Sequence, residues 1–289
     1  MASVSGNTST KASPALATTY EGYDRELCVR IAELVDFLEL APDGMSKTNG
    51  TTHDVRPEVM DEIAIVAPPL NLIAHGVGLS IGSFDTWNEG YLRLLDQLFE
   101  RFPLRWHSEH LGYTTVAGEN IGTMLPLPRT DESLDLVCER VRSLQDRYKV
   151  PFLLEHVIQL LPDVPESYSN AEFLNEITAR TGCGLILDAY NLECDRYNLG
   201  LDVAAFLGEL NMAPVRELHV AGGTQHRGFQ LDIHSGPASE ATLALALDII
   251  ARAPNLSVVT FEFLKEAIPV LSHDGICSEL ARVRKAISQ

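Results

Sequence analysis

The chain has 289 residues, of which 45% are hydrophobic, so it is long enough to bury the core of one large α/β barrel or of two ordinary domains. Its 22 Lys and Arg residues are outnumbered by 40 Asp and Glu residues, which gives a formal net charge of −18. Because nucleic acids and anionic membrane surfaces are themselves negatively charged, this balance predicts that neither is a partner.

The sequence gives no signal for export or for membrane insertion. Its first residues are small and polar, and no apolar run approaches the roughly 20 residues that a membrane-spanning helix needs. The five cysteines include no C-x-x-C pair. A cytoplasmic protein with free thiols is therefore expected.

Residues 1–18 are rich in Ser, Thr and Ala and are predicted to form a disordered tail. Residues 19–289 are predicted to form a single catalytic domain, in which short apolar runs alternate with longer amphipathic segments. The predicted strands are, in chain order, residues 35–40, 70–76, 104–110, 151–157, 183–189, 215–221, 229–234 and 257–263.

The segments between these runs carry helix signals. Thr130 is placed to cap the segment TDESLDLVCERVRSLQDRY, while Ser169 and Glu172 form a capping-box pattern in a segment that closes on Gly182. Strands that alternate with helices predict a parallel sheet, and eight candidates in about 250 residues predict an α/β fold of the (β/α)8 TIM-barrel type. A doubly wound sheet is the alternative, but no G-x-G-x-x-G motif follows the first predicted strand.

Residues of the types that bind metals recur near the ends of seven successive predicted strands. In a barrel the carboxyl ends of the strands face one mouth, so such residues converge although they are distant in sequence. Imidazole and carboxylate groups are ligands of zinc, iron and manganese. The nine residues are His75, His110, Glu155, Asp188, Asn191, His219, Asp232, His234 and Glu262.

Each of these residues has a simpler interpretation when taken alone. A single His at a strand end is usually a packed core residue, and a single Asp after a strand usually caps a helix. Glu155 and Glu262 are harder to explain in this way, because each ends an apolar run and buried carboxylates are rare unless paired or metal-bound. Asp232 and His234 also share one face of their run. As a set, the nine residues predict a multinuclear metal site.

Several segments together resemble the multinuclear non-haem iron-dependent oxidases typified by the methanobactin-maturation oxidase. They are HGVGLSIGS, SEHLGY, MLPLPRTDESLDLVCERV, TGCGLILDAYN, ELHVAGG and LDIHSGP, and the resemblance spans residues 70–265. It implies a xylose-isomerase-like TIM barrel with two or three irons, Fe(II) or Fe(III), and O₂ as cosubstrate. It further implies natural-product biosynthesis in which Cys or Asp of a ribosomally made peptide is modified, often with a separate precursor-recognition protein as partner.

The resemblance also implies how the ligands are shared. One metal takes His75, His110 and bridging Glu155, and a second takes Glu155, Asp188, His219 and Glu262. A third takes Asn191, Asp232 and His234, with variable occupancy because the Asn191 amide is a poor donor. Glu155, Asp188 and His219 are the expected catalytic residues.

The sequence departs from the family pattern around the mouth, which leaves a peptide and a related small molecule both open as substrates. The Glu-Asn pair after the fourth strand is Glu155-His156 here, and the H-x-A-G-H turn lacks its second His at Gly223. Three further residues are candidates for contacts to the ligands or the substrate, namely Glu39, His156 and His226. For His156 a packing role is equally open.

Three alternatives use the same barrel. A zinc hydrolase of the endonuclease IV type has a similar ligand pattern, but it carries His at the position of Asn191 and acts on DNA, which the charge of −18 disfavours. A sugar isomerase would need a catalytic Lys or a pair of His residues for ring opening, and the sequence identifies neither. A metal-binding protein without turnover is disfavoured by the intact ligand set.

Overall fold

The computed structural model describes residues 12–22, 24–49, 52–159 and 168–288. Its strands are β1 (Ala15–Tyr20), β2 (Phe37–Leu40), β3 (Ser46–Asn49), β4 (Thr52–Val55), β5 (Asn71–Gly76), β6 (Leu104–His110), β7 (Gly112–Val116), β8 (Glu119–Pro126), β9 (Phe152–Glu155), β10 (Gly184–Asp188), β11 (Val215–Val220), β12 (Gly222–His226), β13 (Phe229–Gly236) and β14 (Val258–Phe261). Its helices are α1 (Arg25–Ala32), α2 (Pro57–Val66), α3 (Glu89–Arg101), α4 (Asp131–Tyr148), α5 (Asn170–Thr181), α6 (Ala189–Leu199), α7 (Val203–Glu209), α8 (Glu240–Arg252) and α9 (Ile268–Ile287), with a 3₁₀ helix at Lys265–Ala267.

Eight parallel strands close into a barrel in the order β1, β2, β5, β6, β9, β10, β11 and β14, with β14 paired back to β1. The strands are short apolar runs such as FLLE in β9, whose residues are all buried, because both faces of a barrel strand are covered. Helices between the strands form the outer layer. The structure therefore confirms the predicted TIM barrel.

One of the eight predicted strands, residues 229–234, is not part of the barrel. Residues 229–234 lie in β13, which pairs antiparallel with β12, because Arg227 and Gly228 have φ of 49° and 86° and turn the chain back on itself. The eighth position is taken by β1 instead, so the predicted boundary of the tail at residue 18 is wrong. The run ALATTY is only weakly apolar, but barrel closure gives it two pairing partners, β14 and β2. Residues 1–11 of the predicted tail lie outside the described residues.

The helix signals read from the sequence are present at two helix starts. The Thr130 side chain accepts a hydrogen bond from the Ser133 amide at the start of α4. The capping box of Ser169 and Glu172 opens α5, which ends at Gly182 with φ of 71°. Across the described parts of the chain, none of the helices combines the length and the apolar character needed to cross a membrane.

Strand register brings the predicted ligands to one level at the mouth of the barrel. His110 in β6 lies opposite Glu155 in β9, and Asp188 in β10 lies opposite His219 in β11. Three hairpins follow strands at the same end, β3–β4 after β2, β7–β8 after β6 and β12–β13 after β11. The C-terminal side of the barrel is thus where the candidate site is built, as in other barrels of this type.

Candidate metal centre

Glu155 is the residue on which the site converges. It ends β9, is fully buried, and its Oε2 lies 2.9 Å from His75 Nε2, 3.7 Å from His110 Nε2 and 3.5 Å from His219 Nδ1. Despite these distances, Oε2 has no hydrogen-bond partner among the described residues. A buried carboxylate oxygen that faces three imidazole nitrogens without a hydrogen bond has the surroundings of a bridging metal ligand.

His75 and His110 are each oriented through the ring nitrogen that points away from Glu155. His75 Nδ1 lies 2.9 Å from Ser108 Oγ, which donates its own proton to the Ala74 carbonyl, so His75 is the donor in this contact. His110 Nδ1 lies 3.0 Å from the carbonyl oxygen of Gly76. Burial lowers the pKa of both imidazoles, and it lowers the pKa of His75 well below its usual value. Both rings are therefore neutral and direct the Nε2 lone pair towards Glu155.

A second group joins Glu155 to three other buried residues, Asp188, His219 and Glu262. One ligand atom from each of the four lies within 4.8 Å of all the others. His219 Nδ1 is 2.8 Å from Glu262 Oε2, which has no hydrogen-bond partner within the described ranges. The groups of His75, His110 and Glu155 and of Glu155, Asp188, His219 and Glu262 are the first two ligand sets that the resemblance implies.

Asp188 is both the cap of helix α6 and a candidate metal ligand. Its Oδ1 caps α6 and accepts hydrogen bonds from the amides of Tyr190, at 2.5 Å, and Asn191, at 3.1 Å. Its Oδ2 has no hydrogen-bond partner in the described chain and faces His234 Nε2 at 3.5 Å. One oxygen therefore holds the helix, while the other remains available to a metal.

The third ligand set is more open to solvent. His234 Nε2 lies 2.6 Å from Asp232 Oδ1, and the side chain of Asp232 is 24% exposed. The Asn191 amide nitrogen, in the orientation that satisfies its hydrogen bonds, lies 3.0 Å from Asp232 Oδ2. His234 Nδ1 also lies 3.3 Å from Glu262 Oε1, which joins this set to the second. The structure thus brings all nine predicted residues into one contact network.

Two glutamates lie behind His219, on the side away from Glu155. His219 Nε2 is 3.4 Å from Glu39 Oε2 and 3.7 Å from Glu217 Oε1. Glu217 is held by Trp106 Nε1 at 2.8 Å and by Thr260 Oγ1 at 2.5 Å, whereas neither oxygen of Glu39 has a hydrogen-bond partner in the described part of the chain.

These carboxylates control the charge of His219. Burial raises the pKa of Glu39 to about 8. Burial also lowers the pKa of His219, but the carboxylates of Glu39, Glu155 and Glu262 outweigh that effect and raise it well above its usual value. Glu217 was missed in the sequence, although it shares a strand face with His219 at a spacing of two residues in VRELHV.

His156 and His226 lie apart from this network. The ring of His156 is buried 6.2 Å from that of Phe206, in a separate cavity lined by Phe173 and Leu174 of α5. Neither of its nitrogens has a hydrogen-bond partner among the residues described, and burial lowers its pKa to about 4. His226 is exposed near the tip of the β12–β13 hairpin, opposite Phe229. The role of His156, whether in packing or in contacts to the ligands or the substrate, stays a prediction.

Residues 21–287 match the family model described as "RiPP precursor modification enzyme MbnB/TglH/ChrH", where RiPP denotes a ribosomally made and later modified peptide. The chain belongs to this family. The match covers most of the chain and confirms the resemblance that the sequence motifs predicted.

Relatives of similar length support the assignment to the MbnB/TglH/ChrH family. A UPF0276 protein of Caulobacter vibrioides is 32% identical over 212 residues, which are 73% of this chain and 73% of the relative. A UPF0276 protein of Paraburkholderia phytofirmans is 30% identical over 258 residues, which are 87% of this chain and 82% of the relative.

Solved structures with the same architecture include metal-binding and sugar-epimerising barrels. The IolI protein, solved with a zinc atom, has a TM-score of 0.60 at 14% identity and covers 95% of this chain and 98% of its own. The 3-keto-D-glucoside 4-epimerase of E. coli has a TM-score of 0.56 at 17% identity and covers 93% of this chain and 98% of its own. At these identities the likeness shows the fold alone, a (β/α)8 barrel, while the family indicates an enzyme.

Proposed function

We propose that this chain is a multinuclear non-haem iron-dependent oxidase that uses O₂ to modify a peptide residue of the Cys or Asp type, or a related small molecule, in natural-product biosynthesis. The observation that carries the proposal is a set of six buried ligand atoms without hydrogen-bond partners in the described chain. They are His75 Nε2, Glu155 Oε2, Asp188 Oδ2, His219 Nδ1, His234 Nε2 and Glu262 Oε2. A buried polar atom left unpaired costs about 1–3 kcal/mol, so six of them at one mouth favour a group that binds them all.

The donor types support iron. The set of His75, His110 and Glu155 has two imidazoles and one carboxylate, a combination that suits non-haem Fe(II). Two or three irons would be held by this set, by the set that Glu155 shares with Asp188, His219 and Glu262, and by the set of Asn191, Asp232 and His234. Bound iron would supply the redox chemistry towards O₂.

The chain's own residues would fix the ligands and the substrate position. Ser108 and the Gly76 carbonyl hold His75 and His110 in the tautomer that offers Nε2. Glu155, Asp188 and His219 are proposed as catalytic residues because they connect the ligand sets to one another. The family description supports a precursor peptide as substrate. A separate precursor-recognition protein is part of the proposal.

Replacing the shared carboxylate tests the proposal. Purification under anaerobic conditions should yield two or three irons per chain, and the reduced protein should consume O₂ when a substrate peptide is added. Glu155→Gln should lose about two metals and the oxygen uptake, because the amide is a poor bridging ligand. Metal analysis and an oxygen electrode provide the readouts.

The matched control is Glu193→Gln, a buried Glu in α6 whose Oε2 accepts a hydrogen bond from Thr242 at 2.6 Å. This variant should keep its iron and its oxygen uptake. Zinc in the anaerobic protein together with phosphodiester cleavage would instead identify the hydrolase. Unchanged iron content and rate in Glu155→Gln would contradict the ligand assignment.

A further inference from the structure

The candidate metal centre opens into a cavity of about 330 Å³ that has a polar floor and an apolar rim. The floor carries five residues of the ligand network, His110, Asn191, Asp232, His234 and Glu262. The lining also includes Thr123 and the buried Val157, and the rim consists of the six remaining apolar side chains, Val77, Met124, Ile158, Leu231, Ile233 and Leu264.

The rim surrounds the opening because its residues come from five different connections. They follow β5, β9 and β14 or lie in the β7–β8 and β12–β13 hairpins. Val77 is 40% exposed, Ile233 37% and Leu264 38%, so part of this apolar surface faces solvent. Exposed apolar side chains grouped around a concave polar site indicate that an apolar partner covers them.

Within the described ranges, the residues that line the cavity include no Lys or Arg that could pair with an acidic group. Among the described residues that line the cavity, the charged side chains other than His are Asp232 and Glu262, both acidic. Lys265 follows the rim residue Leu264, and its Nζ lies 3.8 Å from Glu21 Oε2. A metal at the floor would engage the reactive group itself, whereas its neighbours in the substrate would meet the rim.

We infer that this cavity selects an internal substrate segment in which apolar side chains flank the reactive residue on both sides. The inference rests on the proposed function, because it assigns the floor to the reactive group. Burial of two apolar side chains favours binding, while an acidic side chain at the rim loses its hydration without gaining a Lys or Arg partner among the described lining residues.

Three blocked tripeptides test the inference on the iron-loaded protein without O₂. They have the sequences Leu-Cys-Leu, Ser-Cys-Ser and Asp-Cys-Asp, and their binding is followed through the absorption band of a thiolate bound to iron. Leu-Cys-Leu should bind at least roughly tenfold more tightly than Ser-Cys-Ser, and Asp-Cys-Asp should bind most weakly.

Variants that add a cation to the rim should reverse part of this order. Met124→Lys and Leu264→Lys should strengthen binding of Asp-Cys-Asp relative to Leu-Cys-Leu by roughly tenfold. Leu247→Lys, at a position 42% exposed on α8, is the matched control and should leave the order unchanged. Iron content, measured in each variant, shows that the centre is intact.

Each remaining outcome has a distinct meaning. A thiolate band with equal affinity for all three peptides would overturn the inference and leave the proposed function standing. The inference would also be overturned, with the proposed function left standing, if Met124→Lys and Leu264→Lys bound the three peptides in the same order as Leu247→Lys does. Absence of the band with every peptide, in protein that holds its iron, would overturn both the oxidation of a Cys peptide and the inference.

Discussion

The two ring nitrogens of His219 face different groups. Its Nδ1 points to Glu155 and Glu262, and its Nε2 points to Glu39 and Glu217. A carboxylate that accepts the second N–H of a ligating His fixes the ring and increases its strength as a ligand. Glu39 is thus placed to position His219 rather than to contact the substrate.

Removal of Glu39 should therefore weaken metal binding by the second ligand set. We expect Glu39→Ala to lower metal affinity roughly 10–100-fold at the set that contains His219. Glu39→Gln should lose less, because the amide keeps the size of the side chain and an oxygen that can face His219 Nε2, which lies 3.4 Å from Glu39 Oε2. Metal titration followed by the absorption spectrum of the Co(II)-substituted protein measures this. Equal affinity in wild type and Glu39→Ala would contradict the positioning role.

The protonation of the same residues predicts a pH dependence of metal binding. Carboxylates raise the pKa of His219 well above its usual value, and burial raises that of Glu155 in the same direction, so the metal-free centre holds protons at pH 7. A metal must displace these protons, and its affinity should fall as the pH is lowered from 8 to 6.

Calorimetric titrations of metal into the metal-free protein, in buffers of different ionisation enthalpy, count the protons released. We expect at least one proton for each metal that occupies the set of Glu155 and His219. A proton count of zero with a flat affinity between pH 6 and 8 would show that the centre is already deprotonated.

The sequence predicted the nine candidate ligands and, among the residues that orient them, Glu39 but neither Ser108 nor Glu217. Glu155 and Glu262 were recognisable because a carboxylate that ends an apolar run is unusual in itself. Ser108 and Glu217 were not, because their contacts depend on which strands become neighbours. Ser108 contacts His75 only because β5 pairs with β6. Glu217 lies near Glu39 only because the barrel closes through β14 and β1, which connect β11 to β2.

At the level of elements, strand β5 and helix α3 approach each other closely behind the metal centre. The point of approach is Gly76, where a Cβ atom would overlap the hydroxyl of Tyr91 and the carboxylate of Glu109. The Gly76 carbonyl also accepts the hydrogen bond that orients His110. The absence of a side chain at Gly76 is therefore a condition for the placement of a ligand one strand away.

Gly76→Ala should damage both stability and metal binding. Overpacking at a buried site costs typically about 1–3 kcal/mol, and displacement of the carbonyl should release His110. Thermal unfolding and metal content measure the two effects. The control is Gly208→Ala in α7, where an added Cβ meets no atom within 4 Å, and this change should be neutral or stabilising. Similar behaviour of the two variants would refute the argument from close approach.

Barrel closure is the feature of the whole molecule that the sequence predicted least well. Alternating strands and helices predicted the barrel, since each of the seven other barrel strands carries its own apolar signal. The run ALATTY of β1 carries little such signal, and its place depends on pairing with Val258 and Val259 of β14, more than 240 residues later. The hairpin strand β13 alternates apolar and polar residues in FQLDIH, whereas β9 is an apolar run, so this alternation and the turn at Arg227 and Gly228 both distinguish it from a barrel strand.

The stability of the barrel should depend on the metals. A ligand that binds the folded chain but not the unfolded chain stabilises it, by about 2.7 kcal/mol at 100 times its Kd. We expect iron loading to raise the Tm by roughly 5–10 °C and a chelator to reverse the change. Differential scanning calorimetry without O₂ measures both, with Glu155→Gln as the variant that should respond least. A Tm that does not respond to iron would contradict a buried metal centre.

The carboxylate of Asp188 would connect a bound metal to helix α6. Two backbone amides of α6 immobilise one of its oxygens, so the other cannot swing without unwinding the first turn. Any rearrangement that shifts the metal when substrate arrives must carry the whole of α6 along with it. The coordination sphere and this helix should therefore behave as one rigid body, and adaptation to different substrates should fall to the hairpins instead.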